Sequence, residues 1–278
     1  MTESPPRALA AIRFSWVNNP DDVWDPAPFH VPGLHPQAER EIEGGLRDAL
    51  ASSGSSPIGV ALQGQKGAGK THLLGWVRER TFSEGGYFFL VQLSSGSDFW
   101  QCVAQAVRDG LARRVDDKGE TQLTTFLRRL AGAVWLRASV LSAFVGDGAP
   151  TREALDELVR SVRRHDPQVG QECGDTLRAL ALLASGDLTA ESVALDHLGS
   201  TRESEGDERV RWRIRAEPRT PQNIVQDVSR LLALTGPTII AIDRSTRCWT
   251  ARPQRSATCA RASGTASTTR SCGTSPVD

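Results

Sequence analysis

The run Gly64-Gln65-Lys66-Gly67-Ala68-Gly69-Lys70-Thr71 sets glycines, a lysine and a hydroxyl at the spacing G-x-x-x-x-G-K-[ST]. Glycine opens backbone conformations closed to other residues, so successive N–H groups can turn inward and form a nest for an anion. A helix starting at the end of the run adds the positive end of its dipole. In such a loop Gly64, Gln65, Lys66, Gly67, Ala68 and Gly69 shape the cradle. Lys70 brings a point charge to the outer phosphates of a nucleoside triphosphate, and the Thr71 hydroxyl offers magnesium a ligand. Lys66 either touches phosphate or faces solvent. Lysine occurs only at positions 66, 70 and 118, the other basic residues being arginine, so lysine inside this loop is not background composition.

A second candidate is the acid that closes Pro237-Thr-Ile-Ile-Ala-Ile-Asp243. A carboxylate at the C-terminal end of a buried strand, beside a phosphate loop, can hold magnesium through water. Lys70 and Asp243 are therefore the expected catalytic groups, and Thr71 and Asp243 the expected metal ligands. The cysteines at 102, 173, 248, 259 and 272 form no Cys-x-x-Cys pair and have no histidine at ligand spacing, which argues against zinc and against a disulfide framework. Cys102 and Cys173 read as small buried residues, and His72 as a packing or helix-surface residue.

These groups need elements to hold them. The apolar run Ile58-Gly-Val-Ala-Leu62 predicts a buried strand leading into the loop, residues 71–80 a helix, and Tyr87-Phe-Phe-Leu-Val-Gln-Leu93 a second buried strand. Strand, glycine loop, helix, strand is the opening of an α/β parallel sheet. Ahead of it, His35-Pro36 precedes an amphipathic helix over 38–51, with Ile42, Leu46, Ala49 and Leu50 on one face. Residues 1–28 are rich in proline, aspartate and tryptophan and predict an irregular leader that packs Phe14, Trp16 and Trp24 on another element. From Asp98 to Leu234 the pattern is helical, with helices expected near 98–114, 121–145, 151–164, 172–185, 189–198 and 221–234. So much helix exceeds one crossover and predicts a helical insertion between the second strand and the strand that ends at Asp243. Trp100, Trp135 and Trp212 read as core anchors.

A hydrophobic fraction of 39% is enough for a core, and a net charge of zero gives no global attraction to nucleic acid or to an anionic membrane. No apolar run approaches the roughly 18–20 residues of a membrane span, and Met1–Ala10 lacks a signal pattern, so no membrane partner and a cytoplasmic location are expected.

The segments Phe29-x-Val-Pro-Gly33-Leu-x-Pro-x-Ala-Glu39 and Gly64-Gln-Lys-Gly-Ala-Gly-Lys-Thr-His-Leu-Leu74 together resemble the front of bacterial AAA+ ATPases of the origin-recognition and STAND-like groups. The resemblance covers roughly residues 29–100 and 221–243. It implies a P-loop NTPase sheet, ATP and Mg2+ as ligands, protein partners within a larger assembly, and DNA as a partner by family analogy alone. In those families a segment h-h-G-R-x-x-E before the first helix touches adenine. Here Val31-Pro-Gly33-Leu34 stands at that place without the arginine. A second acid normally follows the strand-ending aspartate and polarises the attacking water. Here Arg244-Ser-Thr-Arg follows Asp243. The organisation expected is a leader over 1–35, the front of the NTPase over 36–97, the helical insertion over 98–220, a return to the sheet over 221–243, and a tail over 244–278. For DNA, a basic face could draw on Arg108, Arg113, Arg114, Arg128, Arg129, Arg160, Arg163 and Arg164, although their interleaving with acids reads first as a solvated helix surface.

The tail has no leucine, isoleucine, phenylalanine or methionine, and such a composition cannot offset its ordering entropy, so disorder is expected there. One explanation is a low-complexity tail. Another is a shift of reading frame: Arg244 to Arg252 written with GC-ending codons and read from the third base becomes Val-Asp-Ala-Leu-Leu-Asp-Gly-Pro. On that reading the chain is the truncated front of a longer ATPase, which binds ATP with weak or no hydrolysis. Two other readings stay open: a nucleotide-gated interaction module without significant turnover, and a small-molecule kinase.

Overall fold

Val, Phe, Tyr and Leu crowd residues 87–91, and all five are buried in strand β1 (Tyr87–Gln92). The strand is apolar on both sides because it is covered on both sides. In the computed structural model, which describes residues 23–24, 35–52, 59–65, 68–93, 96–116, 119–146, 148–202 and 208–243, it pairs in parallel with β2 (Thr238–Asp243), from Tyr87 opposite Thr238 to Gln92 opposite Asp243. The Tyr87 N–H also donates to Pro237 O at 2.8 Å. The described residues are a mixed α/β arrangement, mostly helical, around this two-stranded sheet.

Side chains alternate across the strand. Phe88 and Leu90 enter one apolar cluster with Leu73 and Val77 of α2 (Lys70–Ser83) and Ile42 of α1 (Pro36–Ala51). Val23 and Trp24 join it, Trp24 meeting Phe88 edge to face at 5.6 Å, so this piece of the leader does pack on another element. Tyr87, Phe89 and Val91 enter a larger cluster on the opposite side. Its helices are α3 (Phe99–Leu111), α4 (Gln122–Ala133), α5 (Ala138–Leu141), α6 (Arg152–His165), α7 (Pro167–Glu172), α8 (Gly174–Leu183), α9 (Leu188–Leu198) and, after the short α10 (Glu208–Arg211) that leads into the buried Trp212 and Ile214, α11 (Pro221–Ala233). Asp98, Thr121, Thr151, Asp166, Asp187 and Thr220 cap helix starts with their side chains, each accepting the N–H three residues on. Gly110 lets α3 seat on β1, since a Cβ there would come within 2.5 Å of Phe89 Cδ1.

At Phe88 one side chain occupies the outer edge of β1. Gln122, the first residue of α4 and fully buried, donates from Nε2 to Phe88 O at 2.9 Å, while its Oε1 accepts the Phe88 N–H at 2.9 Å. The amide thus supplies the hydrogen bonds that a neighbouring strand would make. Nε2 also reaches Gly110 O at 2.8 Å, tying the end of α3 to the same edge.

Several expectations need correction. Residues 59–62 are not a strand: the described backbone there is irregular, and Gly59, Val60 and Ala61 are exposed. A strand exists through its partners, and the described sheet holds β1 and β2 alone, with the β1 edge at Phe88 taken by Gln122. The helix expected over 121–145 ends at Ala133. Trp135 adopts φ +54, with Trp135 N–H donating to Gly132 O at 3.4 Å and Leu136 N–H to Ala131 O at 2.9 Å. That pair of bonds is a Schellman termination with tryptophan in the place usually given to glycine. Trp135 is consequently 92% exposed rather than a core anchor, whereas Trp212 is buried and Trp100 packs half-buried on the core. Cys173 is buried and Cys102 half-buried. Expectations for residues 1–22, 25–34, 58 and 244–278 concern positions outside those described. Among the described residues no helix is long and apolar enough to cross a membrane.

Candidate functional site

Helix α2 carries the candidate site at its start. Leu73 and Val77 anchor it in the cluster beneath the sheet, and Gly69 enters it with φ +81 and ψ 15, a left-handed N-cap that glycine adopts without strain. The first bond of the helix runs from Leu73 N–H to Gly69 O at 2.9 Å. The N–H groups of Lys70 and Thr71 therefore have no carbonyl one turn back within the helix, and they stand at the positive end of its dipole.

The loop ahead curls around its own lysine. Lys70 Nζ donates to Gly64 O and to Gln65 O, each at 2.9 Å. Ala68 N–H closes a turn on Gln65 O at 3.2 Å, and a Cβ at Gly64 would lie 3.4 Å from the Ala68 Cβ. Gly64, Gln65, Ala68, Gly69, Lys70 and Thr71 are thus brought together in one turn and the beginning of a helix. Lys66 and Gly67 belong to the same run but lie outside the described residues. Lys70 and Thr71 are half-buried, which leaves both open to a ligand.

Asp243 ends β2 opposite Gln92 and is half-buried. Helix α2 packs against β2 as well as β1, so one helix relates the loop to the strand that carries the acid. Among the described residues Lys70 and Asp243 form no ion pair; the ammonium is held by carbonyls. Nor do the described residues contain a group of three or more His, Cys, Asp or Glu able to hold a metal by themselves. A magnesium ion here would draw on Thr71 and Asp243, with its other ligands from phosphate oxygens and water, the usual preference of that ion.

One neighbour of the loop escaped the sequence reading. His35 is the N-cap residue of α1, its side chain makes no cap hydrogen bond, and Nε2 lies 3.4 Å from where a Cβ of Gly69 would stand. The available signal was the His35-Pro36 pair at a helix start, which says nothing of where the ring points.

Three arginines of the expected basic face contact other groups of this chain. Arg129 donates to Gly85 O and sits 5.7 Å from the Tyr87 ring, Arg113 lies 5.0 Å over Trp24, and Arg128 pairs with Glu120 at 3.1 Å. A second polar cluster is sealed among α8, α9 and α11. Thr176 donates to Asp227 Oδ2 at 2.6 Å and lies 3.2 Å from His197 Nε2, and Arg219 donates to Asp227 Oδ1 at 3.1 Å. Burial pushes the neighbouring Cys173 thiol up to about 12 and holds His197 down at about 4, while it raises the Asp227 carboxyl against the pull of Thr176 and Arg219. Cys173 is fully buried, and the cluster ties α8, α9 and α11 together. A shallow depression of about 360 Å³ between α5 and α6, lined by Arg137, Val140, Ala143, Thr151 and Glu157 among others, contains none of the loop residues.

Comparison with protein-family models, with curated proteins and with solved structures finds no match for this chain.

Proposed function

We propose that this chain is an ATP-binding protein of the P-loop class, similar to the AAA+ ATPases, in which the 64–71 loop holds the triphosphate and Thr71 with Asp243 holds magnesium. The observation that carries the reading is the loop itself: a left-handed Gly69 caps α2, and the first-turn Lys70 folds back on Gly64 and Gln65. That arrangement fits a polyphosphate. It keeps an ammonium against the loop and turns the free N–H groups of the helix start toward the same region. Asp243 supports the metal assignment by its place at the end of β2.

In this reading Lys70 would neutralise charge on the outer phosphates, and Thr71 and Asp243 would hold a magnesium ion, which would supply further positive charge there. Arg244 rather than an acid follows Asp243, so the chain lacks an adjacent carboxylate to polarise an attacking water. Binding with weak or no hydrolysis follows, because positioning and charge stabilisation of that kind supply several kcal/mol of barrier lowering. The test is calorimetry with MgATP on the wild-type chain and Lys70→Ala, with phosphate release followed in parallel. Binding that weakens by at least about tenfold in the variant supports the reading. Absence of binding by the wild-type chain at millimolar ATP refutes it.

One observation favours a second reading, the nucleotide-gated interaction module. Trp135 is held in a left-handed conformation and is 92% exposed. Tryptophan so displayed is a common anchor in protein interfaces. ATP affinity without phosphate release, together with a protein partner that requires Trp135 and prefers the ATP-bound chain, would select it.

A further inference from the structure

We infer that His35 is a nucleotide-contact residue, whose imidazole closes the helix end of the phosphate loop and donates its Nε2–H to the phosphate chain. The inference rests on the ATP-binding reading above. His35 occupies the N-cap of α1, where a side chain ordinarily turns inward to accept a backbone N–H of its own helix. Its side chain makes no such bond, and the backbone sits at φ −130 and ψ 59. The ring instead extends to the loop, with Nε2 at 3.4 Å from the Cβ position of Gly69.

The placement is enforced by packing. Pro36 fixes the first turn of α1, and Ile42 shares a core with Leu73 and Val77 of α2. Arg80 Nε approaches Glu43 Oε1 at 3.5 Å, a further link between the two helices. The contacts that set the start of α2 therefore also set the ring. Gly69 offers no side chain to separate them, so the imidazole stands beside the N-cap residue of α2, which Lys70 and Thr71 follow directly. An anion seated there meets the N–H groups of the helix start, the Lys70 ammonium and the imidazole edge. A neutral imidazole has one N–H, which it can present from Nε2.

The experiment compares wild type, His35→Phe, His35→Gln and Lys70→Ala by calorimetry with MgATP and MgADP, with urea unfolding midpoints for each. Phenylalanine keeps a ring against Gly69 without a donor, and glutamine carries an amide N–H at the reach of Nε2. The expected result is about a tenfold weaker Kd in His35→Phe, recovery to within about threefold of wild type in His35→Gln, and unchanged midpoints in both. The contact is overturned if His35→Phe binds as wild type does, or if His35→Gln loses as much as His35→Phe. Binding lost in Lys70→Ala but intact in His35→Phe removes the contact and leaves the ATP-binding reading standing. A wild-type chain that binds no nucleotide removes both.

Discussion

Replacing Gln122 by methionine tests the claim that one side chain takes the place of a neighbouring strand at Phe88. Methionine keeps the length and approximate volume of glutamine but can neither donate to Phe88 O nor accept its N–H. Phe88 is wholly buried, and Gln122 serves both its N–H and its carbonyl, each at 2.9 Å. Gly110 O also loses its bond from Nε2, but it keeps the N–H of Arg113 at 3.0 Å, so it is not stranded. Two buried backbone groups are then left without partners, at about 1–3 kcal/mol each. The apolar burial gained by methionine offsets part of this, which leaves a net loss of about 2–4 kcal/mol. Against a total stability of roughly 5–15 kcal/mol for a domain, such a loss is large. Urea unfolding followed by tryptophan fluorescence measures it, with an unchanged slope showing that the same surface is exposed. A loss below about 0.5 kcal/mol would mean that the amide is not replacing a strand, and the account of the edge at Phe88 would fall.

Trp135→Gly should stabilise the chain. About 1–2 kcal/mol of left-handed strain is relieved, part of it is returned as backbone entropy of the unfolded state, and a gain of about 0.5–1 kcal/mol remains. Thermal unfolding reads this as a rise of roughly 1–4 °C, and a fall would contradict the termination geometry. Acid should weaken the helical layer through His197, which faces Thr176 and the charges of Arg209, Arg215 and Arg219. Its native value near 4 lies below the 6.5 of an unfolded histidine, so between those values the unfolded chain binds the additional proton. Stability falls as pH drops through that window, by at most about 3 kcal/mol. Asp227 acts in the opposite sense, since its raised carboxyl favours the native state at low pH and loses that contribution as pH rises. His197→Gln should therefore flatten the decline between pH 6.5 and 4 in urea midpoints, and an equally steep decline would exclude His197 as its source.

Much of this protein is legible along the chain because helices close their own hydrogen bonds. The helices found over 99–111, 152–165, 188–198 and 221–233 follow from apolar periodicity and from the Asp and Thr residues that cap them. The turn into α2 is local for a related reason, since glycine at 69 sets the backbone geometry and lysine at 70 makes one short reach to Gly64 and Gln65. The strands at 87–92 and 238–243 announced themselves by continuous branched and aromatic runs.

Other features were decided by tertiary structure, because they depend on which distant groups come to lie side by side. Ile58–Leu62 has the composition of a buried strand, yet composition supplies no partner, and the described part of that run pairs with neither strand. Gln122 reads along the chain as an ordinary first-turn residue of a helix, and only the docking of α4 on β1 turns its amide into the edge of a sheet. Trp135 reads as core until the turn after α4 points it outward. His35 becomes part of the candidate site only because α1 and α2 share one core. Local hydrogen bonding and periodicity are written in neighbouring residues, whereas pairing, exposure and convergence are properties of how the elements pack.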